Sequence, residues 1–466
     1  MGKKIILISI QMQDFQNSRF RSPPLGMLQL SSMIKNNKHI CHVFDYGEKD
    51  KNLINDLILK IKKIKPDVVG FTISTPLFNI IKKISKEIKK QFPDLILASG
   101  GPHPTINPIE TLKNTMLDVV FLGESDLSFI EFLDNLSLKE LPFALLKTKG
   151  IYYKDKKNNK IIKTPKQEIP RNLDKLPLPD WDQINLKNYI PLPNQYKKLP
   201  LIPIITSRGC PFKCTFCSIP QERIFRQRSV KSIIDEIKEY KKKYGIKEIY
   251  FYDDTLTINK KWVKELCNSI IKEKLNISWS CFARIDTVNE EILQLMSKSG
   301  CWNIFYGIEC GYQEGLDKLS KNLDIEAIRK IVKLTRKAKI DIRASFILGL
   351  PWESIEEIKK TIKFSKSLNL DYAQYNLFTP YPGTQLYDEA LKTGKFSKNL
   401  RDFNLWDTPY TPPQIKNRKE LMKIQKNAFR SFYYNPFHIL KMLLKIRSFS
   451  DIYRHFKAIK YLILKY

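Results

Sequence analysis

No apolar run in the 466-residue sequence approaches the roughly 20 residues that a membrane-spanning helix requires, so none is expected. The stretch Ile5-Ile-Leu-Ile-Ser-Ile10, behind Met1-Gly-Lys-Lys, is too short for the apolar core of a secretory signal. No small-residue cleavage site follows it, so it reads as a first strand and no targeting segment is expected. Repeats of solenoid length and low-complexity tracts are also missing. Acidic residues are scarce: 48 Asp and Glu face 80 Lys and Arg, a formal net charge of +32. Such an imbalance can mark a nucleic-acid or anionic-membrane partner. Lys outnumbers Arg by 64 to 16, however, beside much Ile and Asn, which points to a proteome-wide bias for most of this charge. Cysteine is limited to eight positions, three of them within eight residues, which is not the spacing of a secreted disulfide framework. It is the spacing of metal ligands in a reducing compartment, so a cytoplasmic location is expected. Core formers are not lacking. With 42% hydrophobic and 11% aromatic residues a wholly disordered chain is excluded, and the length asks for two or three domains.

The first 145 residues alternate short apolar runs (4–10, 39–45, 67–74, 95–100, 118–123) with helical patterns, the order of a parallel sheet wrapped by helices. Several strands end in small or polar residues, and ligands of open α/β sheets bind beyond the carboxyl ends of the strands. Residues 146–200 break the rhythm with a hairpin pattern around Tyr152 and Ile161, then a Pro-rich linker expected to run extended over the surface. Strand–helix alternation returns over 201–390 as six βα units, compatible with an open barrel related to the eight-unit form. Residues 391–466 read as a basic, aromatic helical tail. The expected fold class is therefore α/β: a doubly wound Rossmann-like domain, a partial (β/α)6 barrel and a helical carboxyl-terminal tail.

The sharpest local signal is Ser207-Arg-Gly-Cys210-Pro-Phe-Lys-Cys214-Thr-Phe-Cys217, on the loop after the first strand of the second α/β region. Three thiolates this close can hold three corners of a [4Fe–4S] cube. Structural zinc wants four ligands, and no nearby Cys or His completes such a set. The fourth iron is left open to a ligand from outside the chain.

This loop resembles that of the radical SAM superfamily, with Cys210, Cys214 and Cys217 as the cluster ligands and the aromatic Phe216 before the last Cys. The resemblance implies that S-adenosylmethionine (SAM) chelates the open iron and is cleaved reductively to a 5′-deoxyadenosyl radical. Further matches follow in order: Asp253-Asp254 after the second strand, Arg284 after the third, Gly307-Ile-Glu309 at the fourth and Gly349 at the fifth. In similar proteins these segments contact the amino group, carboxylate, ribose and adenine of SAM. Each taken alone also fits a helix cap, an ion pair or a turn. Arg226-Gln-Arg228-Ser229 recurs in the same subgroup.

Pro23-Pro24-Leu25-Gly26, Gly70, Ser74-Thr75, Gly100-Gly101-Pro-His103 and Gly123-Glu124 resemble the cobalamin-binding domain fused to many of these enzymes. The resemblance implies cobalamin contacts at Ser74, Thr75, Gly100, Gly101, His103, Gly123 and Glu124. The Asp-x-His-x-x-Gly motif that supplies a cobalt ligand elsewhere is absent, so cobalamin without a protein His on cobalt is expected. His39 and His42 read as surface residues. RNA methylthiolation is rejected, because those enzymes carry three further Cys in this domain, where only Cys41 stands.

In the tail, 17 Lys and Arg face four Asp and Glu, interleaved with Phe429, Phe432, Tyr433, Phe437 and Phe456. Ile452, Phe456, Ile459 and Ile463 form one stripe of an amphipathic helix. A lid over the barrel is preferred to a peripheral membrane contact, and nucleic-acid binding ranks third. The resemblance implies methyl transfer to an unactivated carbon of a small-molecule or lipid-like substrate, with electrons from a donor such as flavodoxin or ferredoxin. Cyclisation, rearrangement or reduction without net methylation is the alternative, and a non-enzymatic iron–sulfur nucleic-acid binder is a third reading. No catalytic side chain is assigned.

Overall fold

A computed structural model describes residues 2–12, 21–138, 140–155, 157–218, 223–397, 402–404 and 407–444. Two compact units divide the chain, one formed essentially by the stretch up to Ile190 and the other by the stretch from Pro191.

The first unit is a sheet in the order β2-β1-β3-β4-β5-β6-β7. Its parallel part is β1 (Lys4–Gln11), β2 (Ile40–Gly47), β3 (Val68–Thr72), β4 (Ile96–Gly100) and β5 (Val119–Phe121). Ile5, Ile6, Leu7 and Ile8 are all buried, as expected of a central strand covered on both faces by helices. The chain crosses from one side of β1 to the other between β2 and β3. That reversal opens a crevice beyond the carboxyl ends of β1 and β3.

Two features of this unit differ from the sequence reading. The hairpin β6 (Ile151–Asp155) and β7 (Lys160–Lys163) is not part of a free connection; β6 pairs antiparallel with β5 and extends the sheet. Ile151 and Tyr153, on one face of β6, supply the apolar contact that holds it there. The Pro-rich segment is packed rather than extended on the surface. Trp181 is buried, Ser31 Oγ donates to Asp180 at 2.7 Å, and Gln183 Oε1 accepts the N–H of Val43 on edge strand β2. Proline rules out helix and central strand there, but not docking through side chains and free carbonyls.

The second unit holds six parallel strands: β8 (Leu201–Ile204), β11 (Glu248–Phe251), β12 (Ser278–Ala283), β13 (Cys301–Glu309), β14 (Asp341–Leu348) and β15 (Tyr372–Leu377). Their order is β15-β14-β13-β12-β11-β8, an open partial barrel with β15 and β8 as its edges. A small antiparallel pair, β9 (Ser207–Arg208) with β10 (Arg226–Gln227), stands apart. The helices between strands start at side-chain caps: Ser229, Asn259, Asn289, Asp324 and Ser354 each accept a first-turn N–H.

The tail helix Arg418–Tyr433 covers edge strand β15. Leu421, Ala428, Phe429 and Phe432 are buried, and the Phe429 ring lies 5.2 Å from that of Tyr375. Gln425 Nε2 donates to the Tyr375 carbonyl at 2.8 Å, while Tyr433 Oη accepts the Ala373 N–H and donates to its carbonyl. The helix thus satisfies backbone groups that an uncovered edge would present to other chains. The stripe Ile452, Phe456, Ile459, Ile463 lies outside the described residues.

Candidate active site

The cysteine loop leaves the carboxyl end of β8 and is braced at its root. Asp253, immediately beyond β11, is 1% exposed, and its Oδ1 accepts Thr206 N–H (3.0 Å), Thr206 Oγ1 (2.9 Å) and Ser207 Oγ (2.5 Å). Burial nevertheless pushes its carboxyl up to about 6. Across β9, the Arg226-Gln-Arg228-Ser229 motif pairs with the loop root: Arg228 N–H donates to the Thr206 carbonyl, and its guanidinium meets Glu236 at 2.5 Å and Ser232 Oγ at 2.8 Å. The far side of the loop is tied by Thr215, whose N–H and Oγ1 donate to the Leu319 and Lys318 carbonyls.

These braces present Cys210, Cys214 and Cys217 to one cavity of about 240 Å³ at the carboxyl ends of the strands. All three are free thiols, and burial raises Cys210 and pushes Cys217 up to about 12, so bare thiolates are disfavoured there. Among the described residues, no three Cys, His, Asp or Glu side chains converge tightly enough to hold a single metal ion. A tetrahedral zinc would draw its sulfurs to about 3.8 Å from one another, given Zn–S of about 2.3 Å. Three thiols around a shared cavity suit a cluster, in which each binds a separate iron.

The rest of the lining includes polar and charged residues. Arg284 lies over the Phe212 ring at 3.7 Å, its Nη1 reaching Cys214 Sγ at 3.6 Å. Asp286 and the Lys321 carbonyl fix the rest of the guanidinium at 2.7–2.9 Å. Glu309 follows a bulge between β13 and β14 and adopts φ +71°, a left-handed conformation that an ordinary side chain rarely takes. Its Oε2 accepts from Ser345 Oγ at 3.0 Å, and its Oε1 lies 3.8 Å from Lys321 Nζ. Burial raises the Glu309 carboxyl, and the Lys321 ammonium opposes the shift. A Cβ on Gly307 would fall 2.5 Å from Glu309 Oε1, so a larger residue there would displace this carboxylate. Strain held by such a network is the kind found at ligand sites.

Of the residues picked from the sequence, Cys210, Cys214, Cys217, Phe216, Asp254, Arg284 and Glu309 line this cavity. Asp253 does not: its hydrogen bonds turn it to the loop root. Gly349 does not either; Leu421 fills the space over its α-carbon and Glu353 accepts its N–H. Lys321 and Ser345 were missed. Lys321 is one lysine among 64 in a loop without pattern, whereas Ser345, a polar residue inside an apolar strand, carried a faint signal.

The first unit has its own cavity, about 310 Å³, over the carboxyl ends of β1, β3, β4 and β5. Its floor is small: Ser9, Gly70, Thr72, Ala98, Ser99, Gly100 and Ser125. Buried Ser99 Oγ has no partner, and a Cβ on Gly26 would meet nothing within 4 Å. A small-residue floor with an orphaned hydroxyl fits part of a broad polar ligand such as a corrinoid. Of the seven residues expected to touch cobalamin only Gly100 lines this cavity; Ser74, Thr75, Gly101, His103, Gly123 and Glu124 stand in the segments that follow β3, β4 and β5, Thr75 in a 3-10 turn and His103 in the helix Pro102–Ile106. Gly101 has φ +97°, and a Cβ there would fall 2.7 Å from Thr72 Oγ1. That close approach lets His103 N–H donate to the Ile73 carbonyl and seats its ring 4.5 Å from Phe78. His103 is 1% exposed, with Nδ1 3.2 Å from Thr75 Oγ1. His39 is buried rather than at the surface: its Nδ1 accepts the Lys3 N–H and its Nε2 faces Asp134.

Comparison with known proteins agrees with this geometry. The family model of the radical SAM superfamily matches residues 204–365, and that of the B12 binding domain matches residues 15–133. The chain is 34% identical over 438 residues to an uncharacterized methyltransferase (PH0819) of Pyrococcus horikoshii, covering 93% of this chain and 90% of that one. It is 29% identical over 382 residues to the anaerobic magnesium-protoporphyrin IX monomethyl ester cyclase of Rubrivivax gelatinosus, covering 81% and 67%. Its fold is similar to that of the radical SAM methyltransferase TsrM from Kitasatospora setae, solved with cobalamin and a [4Fe–4S] cluster bound. The TM-score is 0.73 over 100% of this chain and 99% of that one, at 14% identity. The chain belongs to the radical SAM superfamily, in the group that carries an amino-terminal cobalamin-binding domain, and is an enzyme whose cofactors are a [4Fe–4S] cluster, SAM and cobalamin.

Proposed function

We propose that this enzyme transfers a methyl group from SAM to an unactivated carbon of a small-molecule or lipid-like substrate. The observation that carries the reading is the single cavity that gathers three thiols with Arg284, Lys321, Glu309, Ser345 and Asp254. Cys210, Cys214 and Cys217 hold the cluster and leave one corner for SAM. Arg284 and Lys321 set positive charge where an amino-acid carboxylate would lie, while Glu309 and Asp254 accept from ammonium or hydroxyl groups. Phe212, Phe216, Phe282 and Phe305 line the rest and exclude water, which a radical reaction requires. When bound, the cluster supplies the electron that cleaves SAM, and cobalamin carries the methyl group. The electrons come from a reductant such as flavodoxin or ferredoxin in a reducing cytoplasm. Likeness to a methyltransferase over nine-tenths of both chains supports the reading.

Likeness to a cyclase supports a second reading, ring closure or rearrangement without net methylation. Anaerobic incubation of the reconstituted enzyme with methyl-deuterated SAM and an extract from cells lacking it separates the two. Methyl transfer yields a deuterium-labelled product with both S-adenosylhomocysteine and 5′-deoxyadenosine. Formation of 5′-deoxyadenosine alone, with an unlabelled altered metabolite, overturns methyl transfer in favour of the second reading.

A further inference from the structure

The described part of the tail leaves a surface that the enzyme reaction does not use. Beyond the edge-covering helix, the helix Pro436–Leu443 buries none of its side chains. Phe437 is 83% exposed and Leu444 74%, with Leu440 and Leu443 at 55% and Tyr434 at 49%. Phe437, Leu440 and Leu444 follow one another at spacings of three and four, so they share one helical face. Isolated exposed apolar residues are ordinary, but a cluster of this size on one short segment marks an interaction surface.

The preceding helix says what kind. Its buried residues are Leu421, Gln425, Ala428, Phe429 and Phe432, with Leu421, Gln425, Ala428 and Phe432 in one stripe. Lys419, Lys423, Lys426 and Arg430 repeat the same four–three–four spacing two residues earlier, about 160° around the helix, and all four are exposed. Between Leu421 and Leu444 the sequence contains no Asp or Glu. A cationic stripe followed by large exposed apolar side chains is complementary to an anionic bilayer, which offers phosphate to the first and acyl chains to the second. A nucleic acid would use the cations but leave Phe437, Leu440 and Leu444 in water. No described helix is long and apolar enough to cross a membrane, so the contact is peripheral.

We propose that residues 418–444 form a docking surface for anionic lipid bilayers. Flotation of the full-length protein with phosphatidylcholine vesicles, with and without phosphatidylserine, tests it. The expected result is binding only to the anionic vesicles, weakened by added salt. Lys419→Gln/Lys423→Gln/Lys426→Gln should weaken binding on the order of 100-fold, from about 1 kcal/mol per cation near the surface. Phe437→Ser/Leu440→Ser, at exposed positions, should weaken it about tenfold or more with the melting temperature unchanged. No binding to anionic vesicles at low salt overturns the proposal. So does binding that the Phe437→Ser/Leu440→Ser variant retains in full, with a single-stranded oligonucleotide competing, which would assign the cations to nucleic acid. A concentration-dependent dimer that this variant abolishes, without vesicle binding, would give the surface to a second copy.

Discussion

His103 offers a quantitative check on how the first unit is built. Its ring is 1% exposed, packed on Phe78, with one nitrogen near Thr75 Oγ1 and Nε2 without a partner. Protonation would bury a cation, so burial lowers its pKa from about 6.5 to about 4. Because the folded value lies below the unfolded one, the unfolded chain binds the proton more readily. Stability is full above pH 6.5 and falls as the pH drops from 6.5 towards 4. The difference of about 2.5 units corresponds to about 3 kcal/mol. With only five histidines in the chain, carbon-labelled imidazole signals can be followed one by one by NMR, and His103→Gln identifies the relevant signal. The expected outcome is a resonance that stays neutral to about pH 5. His103→Gln should also flatten the acid side of the stability profile relative to the parent. The buried carboxyl groups of Asp253, Glu248 and Glu353, raised to between about 6 and 7, act in the opposite sense and cancel in that difference. A His103 pKa at or above 6.5 would mean that its ring is not buried as a neutral group. A nitrogen coupling in the spectrum of bound cob(II)alamin, lost in His103→Gln, would show that the ring leaves its packed site to bind cobalt.

Reconstituted protein should hold about four irons per chain, and the Cys210→Ala/Cys214→Ala/Cys217→Ala variant should hold none; iron assay and visible absorption decide. Asp253→Ala strips three donors at the root of the cysteine loop and should cost about 2–4 kcal/mol with impaired cluster assembly, whereas a merely distant effect would leave iron content intact. Lys321→Met should raise the Kd for SAM at least tenfold, read by calorimetry on cluster-loaded protein; unchanged affinity would remove Lys321 from the SAM site. Phe432→Ala should destabilise the second unit by about 3–5 kcal/mol, while Phe437→Ala should stay within about 0.5 kcal/mol; equal melting shifts would contradict the burial difference between them.

Much of the site was legible because its chemistry is local. Three cysteines within eight residues announce a cluster wherever the loop lies. Arg284 and Glu309 could be picked because the segments that carry them resemble, in order behind the cysteine loop, those of the radical SAM superfamily. What stayed hidden depends on distance in sequence. Asp253 and Asp254 are neighbours in the chain, yet one points to Thr206 and Ser207 and the other lines the cavity; alternation across a strand end separates them, and only the packed loop shows which is which. Lys321 reaches the cavity because its loop packs under Arg284, a contact 37 positions away that no pattern records. Gly349 reads as a ligand-side glycine until Leu421 is seen to occupy the space above it.

The alternation of strands and helices is written locally in the sequence, since periodicity and capping residues act within a few positions. The sequence also singled out the three cysteines as candidate cluster ligands. Where those elements stop being separate depends on long-range packing. The hairpin of β6 and β7 joined the first sheet because β5 had an edge to fill. The proline-rich segment packed because Trp181 found a site beside the helix Leu25–Asn36 and strand β2. The described aromatic helix Arg418–Tyr433 lies along β15, and no described residue beyond Ser345 lines the thiol cavity. Its Gln425 and Tyr433 meet the unpaired backbone of that strand. Local rules specify which surfaces are apolar or hydrogen-bonding. Which surface covers which is settled by competition among all of them for the same partners, and that competition exists only in the folded chain.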